Sequence, residues 1–254
     1  MEPWAPPDLL RGPLAVPHGF TLRSGGVSAP PFETLNMGAS VGDDPAAVAE
    51  NRRRVASAFN VPFERVVRLD QVHSAVVHQA SAAVVGLEGD ALISDDPQWL
   101  LAVSAADCLP VLMHDPRRGA VAAAHAGWRG VALGVLRATV AALHEHFGSE
   151  PADLHVWIAP SIAGACYQVG PEVLEALLRD PAIDASVAQR DPQRPEHYRL
   201  DVAAAARAQL IALGVRPSDV HQSSICNHCD ARTFSYRRDG PRSGRHWALI
   251  RAQR

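Results

Sequence analysis

Three short apolar runs within residues 100–124 constrain this chain more than any other part of it. Residues 100–103 stop at a polar stretch ending in Asp107, residues 111–113 are closed by Asp115-Pro116, and Gly119 turns the chain into residues 120–124. Runs this short, bounded by polar and turn residues, read as buried strands, since an amphipathic helix needs about ten residues or more. They leave Cys108 and His125 where strands end, the part of an α/β sheet that commonly carries chemistry. A third candidate, His73, falls in a polar break between apolar residues 66–69 and 75–77. Each residue alone has an ordinary structural alternative: a buried thiol packs like a small hydrophobe, and a lone histidine is often a hydrogen-bonded core or surface group. Two imidazoles and one thiolate from three strand ends would instead make a three-ligand site with an open fourth position, the arrangement of catalytic zinc. Spacing alone leaves the choice open.

The 254 residues allow one large α/β domain or two small ones. At 47% hydrophobic, 20% charged and a formal net charge of -3, the composition is that of an ordinary globular protein. It makes no case for a nucleic-acid partner or an anionic membrane surface. No apolar run approaches the roughly 20 residues of a membrane helix, and the first residues lack the basic start and apolar core of a secretory signal. Four cysteines outside any dense framework suit a reducing compartment. A cytoplasmic protein is the expectation. Residues 1–18 carry five prolines and little periodicity, which predicts an extended N-terminal lead-in before a single domain over residues 19–254.

Asp43-Asp44-Pro45 predicts a helix start, with the helix running to about Phe59. Val48, Val55 and Phe59 share its apolar face, and Arg52 falls on that same face. A guanidinium held there keeps its charge and needs an anion, either a buried carboxylate or a substrate phosphate or carboxylate. Residues 131–147 predict one helix ended by Gly148, whose start just after His125 would favour an anion. Asp201 caps a helix over residues 202–213. Asp90 suits either the orientation of a metal-bound histidine or a turn cap, and Asp107 has the same two readings. Cys226-Asn227-His228-Cys229 is half of a zinc-binding pattern, and no second C-x-x-C supplies the other pair. It reads as a weak redox or metal signal, and Cys166 as packing. Arg237 and Arg238, beside Tyr236, are either anion ligands or exposed charge.

Ala106-Asp107-Cys108-Leu109-Pro110-Val111 and His125-Ala126-Gly127-Trp128-Arg129-Gly130 resemble the signature of the laccase-domain family, also called YfiH-like or polyphenol-oxidase-like. Leu35-Asn36-Met37-Gly38, Asn51-Arg52-Arg53, Gln71-Val72-His73 and Phe234-Ser235-Tyr236-Arg237-Arg238-Asp239 resemble further blocks in the family's order, over about Gly19 to Ile250. The resemblance implies a single α/β domain of layered mixed β-sheets flanked by helices, a fold shared with the cytotoxic-necrotising-factor-like deamidase toxins. It implies purine nucleoside phosphorylase activity on adenosine, inosine or guanosine, with adenosine deaminase activity as a companion. His73, Cys108 and His125 would hold zinc, with copper the alternative ion, and Asp107 would assist catalysis. Asn51, Arg52, Gln71, Arg237 and Arg238 would bind substrate or phosphate. Gln168 stands where the family pattern has glutamate.

The older oxidase name does not suit the residues. A multicopper oxidase needs a blue-copper set and a histidine-rich cluster, which three ligands cannot supply. Three other readings remain: a zinc amide hydrolase acting on peptidoglycan precursors, a deamidase with Cys108 as nucleophile and His125 as base, and a non-catalytic binding module. The expected partners are nucleoside and phosphate, and no protein partner is inferable.

Overall fold

The computed structural model describes residues 6–253. Two mixed sheets pack face to face with helices on both outer sides, which is the layered α/β architecture expected from the sequence. One sheet has the order β1 (Leu9–Leu10), β2 (His18–Thr21), β14 (His246–Arg251), β6 (Leu100–Ala105), β3 (Val66–Val67). The other runs β13 (Val220–Gln222), β9 (His155–Ile158), β7 (Leu109–Asp115), β8 (Ala120–Ala126), β5 (Ala91–Ser94), β4 (Val77–Gln79). A small antiparallel sheet of β10 (Gln168–Val169), β12 (Tyr198–Leu200) and β11 (Ala188–Arg190) lies at one side.

Both faces of the central strands are apolar because both are covered, and the two-residue period sorts their side chains between layers. Leu101 and Val103 of β6 meet Leu112, Val121 and Ala123 of the facing sheet, together with Phe20 and Ile250. Leu100 and Ala102 point the other way, onto Val55 and Ala56 of α1 (Pro45–Ala58) and Phe59 just beyond it. In β8 the alternate alanines Ala120, Ala122, Ala124 and Ala126 face α3 (Val135–Phe147), whose Val135, Leu136, Val140 and Leu143 complete the third core. Side chains of a single methyl let this helix lie close to the strand. The helices α4 (Pro171–Leu177) and α5 (Val202–Ala212) extend the same layer.

Local signals set several boundaries. Asp44 caps α1 by accepting from the Ala46 amide, and Asp201 caps α5 by accepting from Ala204. The single helix expected over residues 131–147 is divided: Gly134, at φ 84, ends α2 (Trp128–Leu133) before α3 begins. The break reorients the chain, and the segment following His125 is a helix of only six residues. Leu9 and Leu10 of the lead-in pair with Thr21 and Phe20, and Leu14 and Val16 are buried in the core between the sheets. Among the described residues no helix is long and apolar enough to cross a membrane.

Candidate active site

The antiparallel register of β7 and β8 pairs Leu109 with Ala126 and Pro110 with His125. Cys108, one residue before β7, therefore sits beside His125 near the end of β8, although 17 positions separate them in sequence. His73 arrives from the loop before β4. Its ring meets that of His125 edge-on, with centroids 4.8 Å apart, and its Nε2 lies 3.7 Å from Cys108 Sγ. One donor atom from each of the three residues lies within 4.8 Å of the others.

Asp90 organises this cluster from beneath. It is fully buried at the start of β5, and its carboxylate accepts the amides of Val72, His73 and Ser74 and the Ser74 hydroxyl. Those bonds hold His73 in a left-handed conformation, φ 62, which costs a non-glycine residue on the order of 1 kcal/mol or more. Asp90 Oδ1 also accepts from His125 Nδ1 at 2.8 Å. Burial opposes ionisation of Asp90, but the hydrogen bonds from His125 and Ser74 outweigh it and hold the carboxyl down at about 2. An ionised carboxylate can only accept, so one His125 proton sits on Nδ1, and Nε2 is the nitrogen left to act as a ligand once a metal displaces its proton. Burial disfavours both a Cys108 thiolate and a His125 cation. The two nevertheless stabilise each other, with the thiol drawn down to about 6 and the imidazole pushed up to about 9.

This donor set fits a zinc ion. Zinc bonds of about 2.0 Å to nitrogen and 2.3 Å to sulfur space tetrahedral donors by roughly 3.3–3.8 Å, close to the Cys108–His73 separation. Gly127 supplies the clearance, since a Cβ there would stand 3.0 Å from His73 Cδ2 and 3.1 Å from Cys108 Sγ.

The cluster opens into a cavity of about 580 Å³, within the range of small-molecule sites. Arg52, Arg68, Arg129, Arg237 and Arg245 line it, with Gln71, Asp107, Tyr167 and Trp247. Arg52 donates twice to the Met37 carbonyl and lies over the Trp247 ring, so the carboxylate partner allowed by the sequence is not what holds it. Burial, reinforced by the nearby Arg68 charge, lowers Arg52 to about 10. Arg245 is held by the carbonyls of Ser243 and Gly244, and burial lowers it too. Among the described residues, neither these two nor Arg68 forms an ion pair. Gln71 grips the Ser104 backbone with both ends of its amide. Arg237 donates to the Gln168 carbonyl and packs over Tyr167. Asp107, at φ 90, accepts the Arg237 amide on Oδ2, while buried Oδ1 makes no hydrogen bond, and burial raises its pKa.

Two expected substrate residues lie elsewhere. Asn51 is fully buried, and its amide clasps Val27, Ser28, Thr34 and Asn36, leaving nothing for a ligand. Arg238 turns from the cavity to the carbonyls of Asn227, His228, Asp230 and Thr233 and to Asp239. Both spend on backbone geometry the donors that would serve a substrate. Gln168 likewise bonds the Asp191 carboxylate at 2.6 Å, a contact in which only an amide can donate. Arg68 and Arg245 were missed; each sits next to a strand, where basic residues carry no distinguishing pattern.

Fold and site together define an α/β protein with a candidate thiolate–imidazole metal centre in a cationic cavity. The model of the family described as multi-copper polyphenol oxidoreductase laccase matches residues 17–253, and the chain belongs to that family. It is 42% identical to a purine nucleoside phosphorylase of Deinococcus radiodurans over 95% of this chain and 92% of that one. It is also 42% identical to a purine nucleoside phosphorylase of Pseudomonas aeruginosa, with 98% of each chain covered. The crystal structure of YlmD from Geobacillus stearothermophilus superposes with a TM-score of 0.87 at 36% identity, covering 93% of this chain and 92% of that one.

Proposed function

We propose that this chain is a purine nucleoside phosphorylase with zinc held by His73, Cys108 and His125. It converts adenosine, inosine or guanosine and phosphate to the free base and ribose 1-phosphate. The observation that carries this reading is the set of half-buried guanidinium groups, Arg52, Arg68 and Arg245, that share the cavity with the candidate metal centre and, among the described residues, form no ion pair with a carboxylate. Buried positive charge without a partner is costly, and a phosphate anion relieves that cost. The names of the relatives agree with it.

In phosphorolysis the C1'–N9 bond breaks with its electron pair leaving on the base, and a phosphate oxygen forms the new bond to C1'. Arg52 and Arg245, fixed by backbone carbonyls before any ligand arrives, hold the phosphate without reorganising during the reaction. Asp107 lines the cavity and keeps its proton to higher pH than an ordinary carboxyl group, which suits it to protonate the departing base. When bound, zinc supplies Lewis acidity beside Cys108. The open fourth position of that site favours adenosine deamination as a second activity. Free thiols throughout suit a cytoplasmic setting, with nucleoside and phosphate as the partners.

The test is product analysis by chromatography, with adenosine supplied to zinc-loaded protein in the presence and absence of phosphate. Adenine and ribose 1-phosphate are expected with phosphate only. Inosine formed without phosphate establishes the deaminase. If neither product forms, the nucleoside reading fails.

A further inference from the structure

The second grouping of metal-binding side chains lies outside the cavity, on two loops that the proposed reaction does not use. Cys166 closes the turn Gly164–Cys166 after β9, and Cys226, His228 and Cys229 come from the loop after β13. Cys166 Sγ is 3.2 Å from Cys229 Sγ, and Cys229 Sγ is 4.0 Å from His228 Nδ1. One donor atom from each of Cys166, His228 and Cys229 lies within 4.8 Å of the others. The Cys226 thiol neighbours both Cys166 and Cys229 without lying within 4.8 Å of all three donors, and it accepts the Ala163 amide at 3.2 Å.

We propose that Cys166, Cys226, His228 and Cys229 form a structural zinc site, separate from the centre at Cys108. Three thiolates and one imidazole complete a tetrahedron, and closed Cys3His sites are typical of structural rather than catalytic zinc. Tetrahedral zinc spaces two sulfurs by about 3.8 Å and a sulfur and a nitrogen by about 3.5 Å, so the spacings of 3.2 and 4.0 Å need shifts of only about half an ångström to take the ion. An amide donating to a sulfur, as Ala163 does to Cys226, stabilises thiolate charge. A disulfide would use two of the four groups and leave a thiol and an imidazole converging on nothing. Binding displaces the three thiol protons to solvent and changes no oxidation state.

The site would staple the Cys226–Cys229 loop to the loop that forms one wall of the cavity. Ser161 bridges Cys226 and accepts the Asn227 amide, and Ser161, Ile162 and Tyr167 all line the cavity. Arg238 holds the Cys226–Thr233 loop through its carbonyls, which gives that role a purpose beside the metal.

The test counts metal in purified, reduced protein and is independent of the nucleoside reading. Two zinc equivalents per chain are expected in the wild type, one in the Cys166→Ser/Cys229→Ser double variant and one in Cys108→Ala. Cobalt(II) loaded into Cys108→Ala should give a thiolate charge-transfer band that weakens when Cys226→Ser is added. The double variant should also have a lower Tm, with its remaining zinc unchanged. The wild-type count keeps the test valid if Cys108→Ala does not fold. A metal count unchanged by the double substitution, or a Cys166–Cys229 disulfide in the mass spectrum of protein purified without reductant, would overturn the proposal, whereas a single wild-type equivalent lost in the double variant would uphold it and overturn zinc at Cys108 instead.

Discussion

The two thiol–imidazole clusters are built from the same side chains and differ in everything around them. The first hangs on strand ends of the six-stranded sheet, and a fully buried carboxylate, Asp90, orients His125 and grips the backbone of His73. It offers three donors and faces an arginine-lined cavity. The second stands on loops, with Cys229 exposed, and brings three mutually close donors beside the Cys226 thiol, which accepts the Ala163 amide. Three donors on a rigid sheet leave a coordination position for chemistry, whereas four on loops close the shell and spend the ion on structure.

Four measurements would break or sharpen that contrast. The largest effect is expected from Cys108→Ala, which should remove zinc from the first site and lower phosphorolysis about a thousandfold or more, the several kcal/mol that a Lewis acid contributes. Initial rates of base release, read beside metal content, check it. Asp90→Asn should next weaken zinc binding at the first site by about 10- to 100-fold, the usual loss when a supporting carboxylate goes. Chelator competition would show this, with no change at the second cluster, where among the described residues no carboxylate bonds a donor side chain.

The arginines come third. Arg52→Ala should raise the phosphate KM roughly tenfold or more, since charge-assisted hydrogen bonds contribute about 1.5–3 kcal/mol. Arg238→Ala should leave that KM alone and lower stability to denaturant by a similar amount, because its partners are backbone carbonyls. Equal effects of the two on KM would erase the distinction between cavity and clasp.

The last measurement concerns a histidine in neither cluster. His246 is buried between Phe20 and Phe234, and burial pushes it down to about 3. Its folded pKa lies below its unfolded value of about 6.5, so the unfolded chain takes up the proton first. Stability should therefore fall as pH drops from about 6.5 towards 3, and His246→Gln should flatten that slope in denaturant titrations. The opposite shifts of His125 and His246 show that neighbours, and not residue type, decide what an imidazole does.

Much of the fold was legible because its signals are local. Short apolar runs marked the central strands, Asp44 and Asp201 announced helix starts, and Gly148 ended a helix. The apolar face of α1 was also correct, including the inward turn of Arg52. Gly134 was the exception, because a glycine within a helical pattern does not say whether it will adopt positive φ. At the site, Cys108, His125 and His73 stood out by residue type and position, and the family signature assigned them to one metal centre.

The sequence by itself determined which segments could be strands and helices and which side chains had the chemistry to bind metal or anions. Tertiary structure decided which of them meet. The β7–β8 register set Cys108 beside His125, and the return of a distant loop brought Cys226, His228 and Cys229 to Cys166. It also separated neighbours in sequence: Arg52 lines the cavity while Asn51 is spent on backbone, and Arg237 lines it while Arg238 does not. Adjacent residues on a helix point in different directions, and strand pairing brings together residues far apart in the chain, so proximity in sequence and proximity in space are set by different forces.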